Sequence, residues 1–330
     1  MQPAHLHPSN RSAFVFEFVS GGGMANLDLP ASWLEEGRAM LEAAVQALAD
    51  NRIEVVTTID ARFDFPLPAR TIRVEYTDQV ETILTDALQS TDFGLIIAPE
   101  SDGILQRLTT LAESAPGWHL GSSADAVVLG ADKLATSLHL LQNPNLRRLM
   151  PPTLNGSSCT HVSERVVIKP VEGAGSIDTF VVAGSTLELA FARLGLDRSR
   201  FVVQEFVPGV SAGLSLLSDG MGKVEHVAAC MHDVTFESIE QGIDRIVLKD
   251  GHPANHVSEQ AITIAAEAVR AIPGLRGWVG VDVILDANGK LSAILEINPR
   301  LTSSFVWALN RTDRSDIMSR WLALHGSARV

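Results

Sequence analysis

The 330-residue chain has little cysteine, an excess of acid over base, and no long apolar run. Its two cysteines, Cys159 and Cys230, are far apart and form no CxxC, which argues against a disulfide framework and a zinc cluster. Both read as reduced thiols. The net charge of −13 speaks against a general affinity for nucleic acid or anionic membrane, since both need excess positive charge. No segment approaches the roughly 20 uninterrupted apolar residues that cross a bilayer. Residues 1–12, MQPAHLHPSNRS, lack the basic start and apolar core of a secretory signal and read as a disordered lead. The apolar run from Phe14 to Val19 is too short to supply that core, so the expectation is a cytoplasmic protein. The histidines show no metal-ligand spacing: His252 and His256 are four apart, but Pro253 lies between them. There is no internal repeat, low-complexity tract or coiled-coil pattern.

What is present is alternation. Ser32 followed by Glu35 suggests a capping box, and Leu34, Leu41, Val45 and Leu48 then recur on one helical face. A strand at 53–59, a helix near 78–90, the strand FGLIIAP at 93–99 and a helix after Asp102 continue the series. Such alternation predicts an α/β fold with a parallel sheet, here a domain over 13–120. A helix over about 125–142 carries Lys133, and Pro144, Pro151 and Pro152 mark the passage onward. Residues 160–206 read as a small strand-rich lobe with one helix, Leu187 to Leu194, and a hinge near Glu205 to Pro208. Strands near 213–218, 222–232 and 276–297 predict a larger sheet with helices near 257–271 and 313–324 against it. A second domain over 121–330, α+β in character, would contain both parts, and the length suffices for two or three cores.

Chemistry-bearing residues are densest in 279–300, VGVDVILDANGKLSAILEINPR. Glu296 and Asn298 are two apart on an extended segment, so both side chains leave one face of the sheet. Asp282 joins that face if the turn is a three-residue loop, Ala287 to Gly289, with Gly289 left-handed. A two-residue turn would point it the other way. Oxygen donors so grouped suit a hard cation, and Arg300 offers a planar fork to phosphate. An ordinary edge hairpin with solvated acids is the alternative for this stretch alone. Upstream, RVVIKPVEGAGSID at 165–178 runs from a β-branched strand through Lys169 into a loop with Gly173, Gly175 and Ser176. Glycines let backbone N–H groups approach an anion, and Lys169 adds a point charge. The loop is not GxxxxGK with Ser or Thr, and Asp178 stands where GxGxxG needs its third glycine.

The order ADK at 131–133, VVIKPVEGAGS at 166–176, VVQEFVPG at 202–209 and LEINPR at 295–300 resembles the ATP-grasp superfamily of carboxylate-amine ligases. The resemblance covers about residues 120–310 and implies an ATP-grasp fold after an N-terminal α/β domain, with ATP between two sheets. It implies that Lys133 and Lys169 contact the ATP phosphates under the Gly173 to Ser176 loop. The lobe at 160–206 would be the mobile lid. Gln204, Glu205, Phe206 and Val207 would form the adenine hinge, with Glu205 placed to meet the exocyclic amine or the ribose. Asp282, Glu296 and Asn298 would hold Mg2+ or Mn2+, and Arg300 would face the transferring phosphate. Two departures stand out. Val210, Ser211 and Ala212 replace the acid many relatives carry after the hinge to bind ribose. Asp282 and Glu296 are also one residue further apart than usual, which a three-residue turn or a bulge would absorb.

That resemblance implies activation of a carboxylate by ATP as an acyl phosphate, then attack by an amine. Further likeness, in FVFEFVSGGG at 14–23, LIIAPESDGIL at 95–105 and INPRLTSSF at 297–305, is to the tyramine-glutamate ligase group of methanofuran-type carrier biosynthesis. It implies glutamate and a tyramine-like or tyrosine-like amine as small-molecule partners, with no nucleic acid or membrane and with a homodimer left open. Glu17, Ser20 and Gly21, at a strand end of the N-terminal sheet, are candidate substrate contacts or a plain turn. Thr302, Ser303 and Ser304 either bind substrate carboxylates or cap the helix starting near Phe305. Arg245 or Lys249 either neutralises a substrate carboxylate or is an exposed strand charge. Two other functions stay open: a ligase for another amino-acid or dipeptide pair, and a non-catalytic ATP sensor, against which stands the joint presence of Lys133, Lys169, Asp282, Glu296, Asn298 and Arg300.

Overall fold

Phe14–Phe16 and Leu95–Ile97 are apolar runs without polar alternation, which suits strands covered on both faces. In a computed structural model, which describes residues 11–159, 163–173, 177–240, 242–254, 257–309 and 314–326, they are central strands. β1 (Ser12–Glu17) pairs in parallel with β2 (Glu54–Asp60) and β4 (Phe93–Ile97). β3 (Arg70–Val74) and β5 (Trp118–His119) complete a five-stranded parallel sheet of order β3-β2-β1-β4-β5. Helices α1 (Ala31–Asp50), α2 (Val80–Gln89) and α3 (Ile104–Glu113) supply the alternation read from the sequence. α1 starts earlier than its capping box suggested: extended Pro30 precedes Ala31, so Ser32 lies inside the first turn, while Leu41, Val45 and Leu48 are fully buried.

The chain divides into two compact units that are not contiguous in sequence. Residues up to Ala98, Arg107–Gly121 and those after Ser304 form one; Pro99–Gln106 and Ser122–Ser304 form the other. The helix expected near 313–324 against the larger sheet thus belongs instead to the first unit. There Trp321 is fully buried, meets Phe305 edge-on at 5.9 Å, and donates its indole N–H to the Leu120 carbonyl at 2.9 Å. Burial of two large aromatics decides this placement, and periodicity does not say which sheet a helix will cover.

In the second unit the helix predicted over 125–142 is two: α4 (Ala124–Ala131) and α5 (Lys133–Leu140). Asp132 is extended and accepts a hydrogen bond from the Ala135 N–H at 2.8 Å, an N-cap that starts α5 at Lys133. β6 (Thr153–Asn155), β7 (Arg165–Pro170), β8 (Phe180–Ala183), α6 (Leu187–Leu194) and β9 (Phe201–Glu205) follow. Then come β10 (Val210–Asp219), β11 (Val224–Glu240), β12 (Ile243–Pro253), α7 (Glu259–Ala271), β13 (Arg276–Leu285) and β14 (Leu291–Asn298). They make one antiparallel sheet, β14-β13-β10-β11-β12-β8-β7-β9-β6, rather than two separate ones. The join is the β11/β12 ribbon, whose β11 runs eight residues past the expected end; Glu237–Glu240 are all exposed, so no buried face marked the stretch in the sequence.

Two apolar clusters lie along this sheet. One joins Leu214, Leu216, Val279, Val281 and Ile294 to Ala265 and Val269 of α7; the other joins Val166, Ile168, Phe180, Val203 and Ile243 to Phe191 of α6. Among the described residues, no helix is long and apolar enough to cross a membrane.

Candidate active site

The β13/β14 hairpin turns at Ala287–Gly289. Gly289 is left-handed (φ 70°) and donates to Asp286, while Asp286 N–H donates to Lys290 at 2.8 Å. A three-residue turn alone would set Asp282 opposite Ile294. Two register shifts, at Asp282/Val283 and Ile284/Leu285, each move the partner by one residue and together set Asp282 opposite Glu296. One shift would flip the face; two restore it. The extra spacing between the carboxylates is therefore taken up by both devices the sequence offered. Cys230, Gly213, Asp282 and Glu296 are successive cross-strand partners and so share one face of the sheet.

Two lysines reach this row. Lys133, at the start of α5, is buried; its Nζ donates to the Gly173 carbonyl at 3.0 Å and lies 3.6 Å from Glu296 Oε2. Its N–H donates to Val171 O, tying the helix start to the end of β7. Lys169 of β7 is buried too, with Nζ 3.8 Å from the same Oε2 and 3.4 Å from the Leu295 carbonyl. Burial, opposed by Glu296 and aided by Lys133, pulls Lys169 down to about 8. Burial and the facing Glu296 push Asp282 up to about 7, against a hydrogen bond from Asn298 Nδ2 at 3.0 Å. Burial also raises Glu296, but Lys133 and Lys169 outweigh it and hold its carboxyl below the ordinary range. Like charges held face to face in a low-dielectric setting separate in this way.

The donor set fits a small hard cation: two carboxylates and an amide oxygen, all oxygen, with phosphate and water left to complete the shell. Among the described residues no group of three His, Cys, Asp or Glu side chains has metal-holding geometry, so Asn298 and the substrate would have to share the coordination.

Arg300, just past β14, donates from Nε to Glu100 Oε1 at 2.8 Å and from Nη1 to the Leu301 carbonyl at 3.2 Å. At the other end of the row of candidates, Gln204 is buried and its Nε2 donates to Thr153 Oγ1 at 2.9 Å. Glu205 accepts from Ser163 Oγ at 2.7 Å. The Glu205 and Phe206 N–H groups go to Pro152 and Arg165 carbonyls, whereas the Val207 N–H makes no hydrogen bond among the described residues. Arg165 stacks over the Phe206 ring at 4.3 Å. Gly175 and Ser176 lie outside the described residues.

The remaining substrate candidates divide between the two units. Glu17, Ser20 and Gly21 are buried in the first unit; Glu17 accepts from the Ser20 N–H at 2.6 Å, Ser20 Oγ at 2.7 Å and the Val19 N–H at 3.1 Å. Arg245 and Lys249 are exposed on the β11/β12 ribbon. Ser303 is exposed, and Thr302 accepts from Trp278 Nε1 at 3.3 Å while bonded to Ser304, which reaches Ser215 Oγ at 2.8 Å. Glu100 and Gly213, not among the candidates read from the sequence, lie against Arg300 and Asp282. The signal for Glu100 was its place just after a buried strand of a parallel sheet, where such folds put ligands.

Residues 131–304 match the ATP-grasp domain family and residues 53–127 match the pre ATP-grasp 3 domain. The chain is 26% identical over 297 residues to the tyramine–L-glutamate ligase of Methanocaldococcus jannaschii, covering 88% of this chain and 82% of that one. Among solved structures it resembles an Archaeoglobus fulgidus chain described as ATP-grasp superfamily (TM-score 0.68, 24% identity, 94% and 88% covered). It also resembles the L-amino acid ligase of Bacillus licheniformis (TM-score 0.58, 17% identity, 88% and 67% covered). The chain belongs to the ATP-grasp family. It is an ATP-dependent, carbon–nitrogen bond-forming ligase of the carboxylate-amine class.

Proposed function

We propose that the enzyme activates the side-chain carboxylate of L-glutamate and joins it to a tyramine-like amine, releasing ADP and phosphate. The observation that carries this reading is the convergence of Lys133 and Lys169 on Glu296, opposite Asp282, in a chain that matches a tyramine–L-glutamate ligase over 88% of its length.

Lys133 and Lys169 would bind the nucleotide phosphates, leaving Glu296 for a cation held with Asp282 and Asn298. The cation, Mg2+ or Mn2+, would neutralise phosphate charge when bound. The Val207 N–H offers a main-chain donor to a purine edge beside the Phe206 ring. The γ-phosphoryl passes from ATP to a substrate carboxylate oxygen, and Arg300 stabilises the charge that develops on it. The neutral amine then attacks the acyl carbon, the C–N bond forms, the C–O bond to phosphate breaks, and the amine loses its proton. The two buried lysines suit this step, because water reaching the acyl phosphate would hydrolyse it.

The test is amine-dependent ADP release with magnesium, ATP and L-glutamate across tyramine, tyrosine and simple amino acids, with product masses read by spectrometry. A glutamyl-amine mass with tyramine or tyrosine is expected. ADP released only with other pairs would discard this substrate while keeping the ligase.

A further inference from the structure

Glu100 belongs to the segment Pro99–Gln106, which is part of the second unit and runs from a loop into the first turn of α3. It is 4% exposed. Its Oε1 accepts from Arg300 Nε at 2.8 Å, but its Oε2, equally buried, makes no hydrogen bond among the described residues. In protein interiors a carboxylate oxygen left so is unfavourable, and nearly all buried acceptors have a donor. The loop is tightly formed: Asp102 is left-handed (φ 54°) and the Leu105 N–H returns to the Pro99 carbonyl at 3.1 Å. The next residue, Ser101, has its Oγ 3.7 Å from where a Cβ on Gly173 would stand, so one loop reaches both Arg300 and the turn that Lys133 holds. Apart from Glu100, the charged side chains of the second unit's described residues that are less than a tenth exposed are Lys133 and Lys169, both cations.

We propose that Glu100 is a specificity-determining residue for an amino-acid substrate: Oε1 positions Arg300 toward the anionic reacting group, and Oε2 receives the substrate's ammonium. This rests on the amino-acid reading given under Proposed function. A guanidinium beside a carboxylate is the charge complement of a substrate that carries both an anionic reacting group and an ammonium, as L-glutamate does. An acid without the amino group brings no donor to Oε2, and the site then holds a buried acceptor unpaired.

The experiment compares L-glutamate with glutarate, and L-alanine with propionate, on the full chain loaded with magnesium and a non-hydrolysable ATP analogue. Calorimetric affinity is measured in that complex, and KM values for ADP release are measured separately with ATP. Wild type should prefer the amino acid by about tenfold or more, a loss typical of one charged hydrogen bond. Glu100→Gln should erase most of that preference and raise the amino-acid KM while leaving the ATP KM unchanged; Glu100→Asp should keep part of it. Asp102→Asn, which tolerates the left-handed backbone, should behave as wild type. A preference that survives Glu100→Gln overturns the proposal, as does a variant that loses nucleotide affinity and stability alike, which would mark Glu100 as structural. Wild-type ADP release with no preference for the amino group overturns it and leaves the ligase intact, whereas binding of neither acid of a pair, with nucleotide still bound, removes the amino-acid reading first and this inference with it.

Discussion

Glu17 in the first unit and Glu100 in the second are both acids less than 5% exposed; Glu17 is the last residue of β1, and Glu100 lies shortly after the end of β4. Glu17 has both oxygens supplied, by two backbone N–H groups and a hydroxyl within three residues of it. Glu100 has one oxygen on Arg300 and one with no donor among the described residues. Burying a charge is costly unless it is hydrogen-bonded, and the two regions meet that cost differently. Where local backbone satisfies the group, the acid closes a turn. At Glu100, and along Asp282 and Glu296, the partners come instead from distant parts of the sequence, and at Glu100 one oxygen is left for a donor from outside the described residues.

The sharpest way to press this contrast is Glu296→Gln, which keeps shape but removes the charge shared by both lysines. ADP formation should fall at least a hundredfold with the far-ultraviolet circular dichroism unchanged, and near-normal turnover would remove the carboxylate row from the site. Lys169→Ala should raise the ATP KM by roughly ten- to a hundredfold, the range of one or two charge-assisted hydrogen bonds; equal ATP affinity in variant and parent contradicts the phosphate role.

Gly213→Ala tests the space beside that row. A Cβ there would stand 3.1 Å from His232 Nε2, 3.2 Å from Cys230 Sγ and 3.3 Å from Asp282 Oδ1, so neighbours must give slightly. A fall in turnover of about tenfold is expected with a melting temperature lowered by only a few degrees. An unchanged kcat would show that the space at Gly213 is not used.

Glu17 supplies the smallest effect, on stability alone. Burial raises it above the ordinary carboxylate value despite its donors from Ser20 and Val19. The folded state therefore holds the proton more tightly than the unfolded chain. Its contribution is fully present below the ordinary carboxylate value and is lost as pH rises through the raised one. Glu17→Gln should thus cost more stability at pH 4 than at pH 8, with urea midpoints as the readout. A cost of about 1–3 kcal/mol is expected at the lower pH. The same cost at both values would show that Glu17 folds without a shifted proton affinity.

Much of this protein follows from local order along the chain. The alternation of strands and helices, the helix at Leu187–Leu194, the three-residue turn at Gly289 and the shared face of Glu296 and Asn298 depend on near neighbours and on fixed periods of 3.6 and 2. Asp132 as a cap that splits α4 from α5 was readable on the same terms, from an N-capping residue type just before Lys133. Tertiary structure alone decided the rest. The double register shift that faces Asp282 with Glu296, the β11/β12 ribbon that merges two expected sheets, the C-terminal helices packed in the first unit and Glu100 on Arg300 all pair residues remote in sequence. Such pairings are set by which surfaces bury one another and which charges can be satisfied together, quantities that no window of the sequence contains.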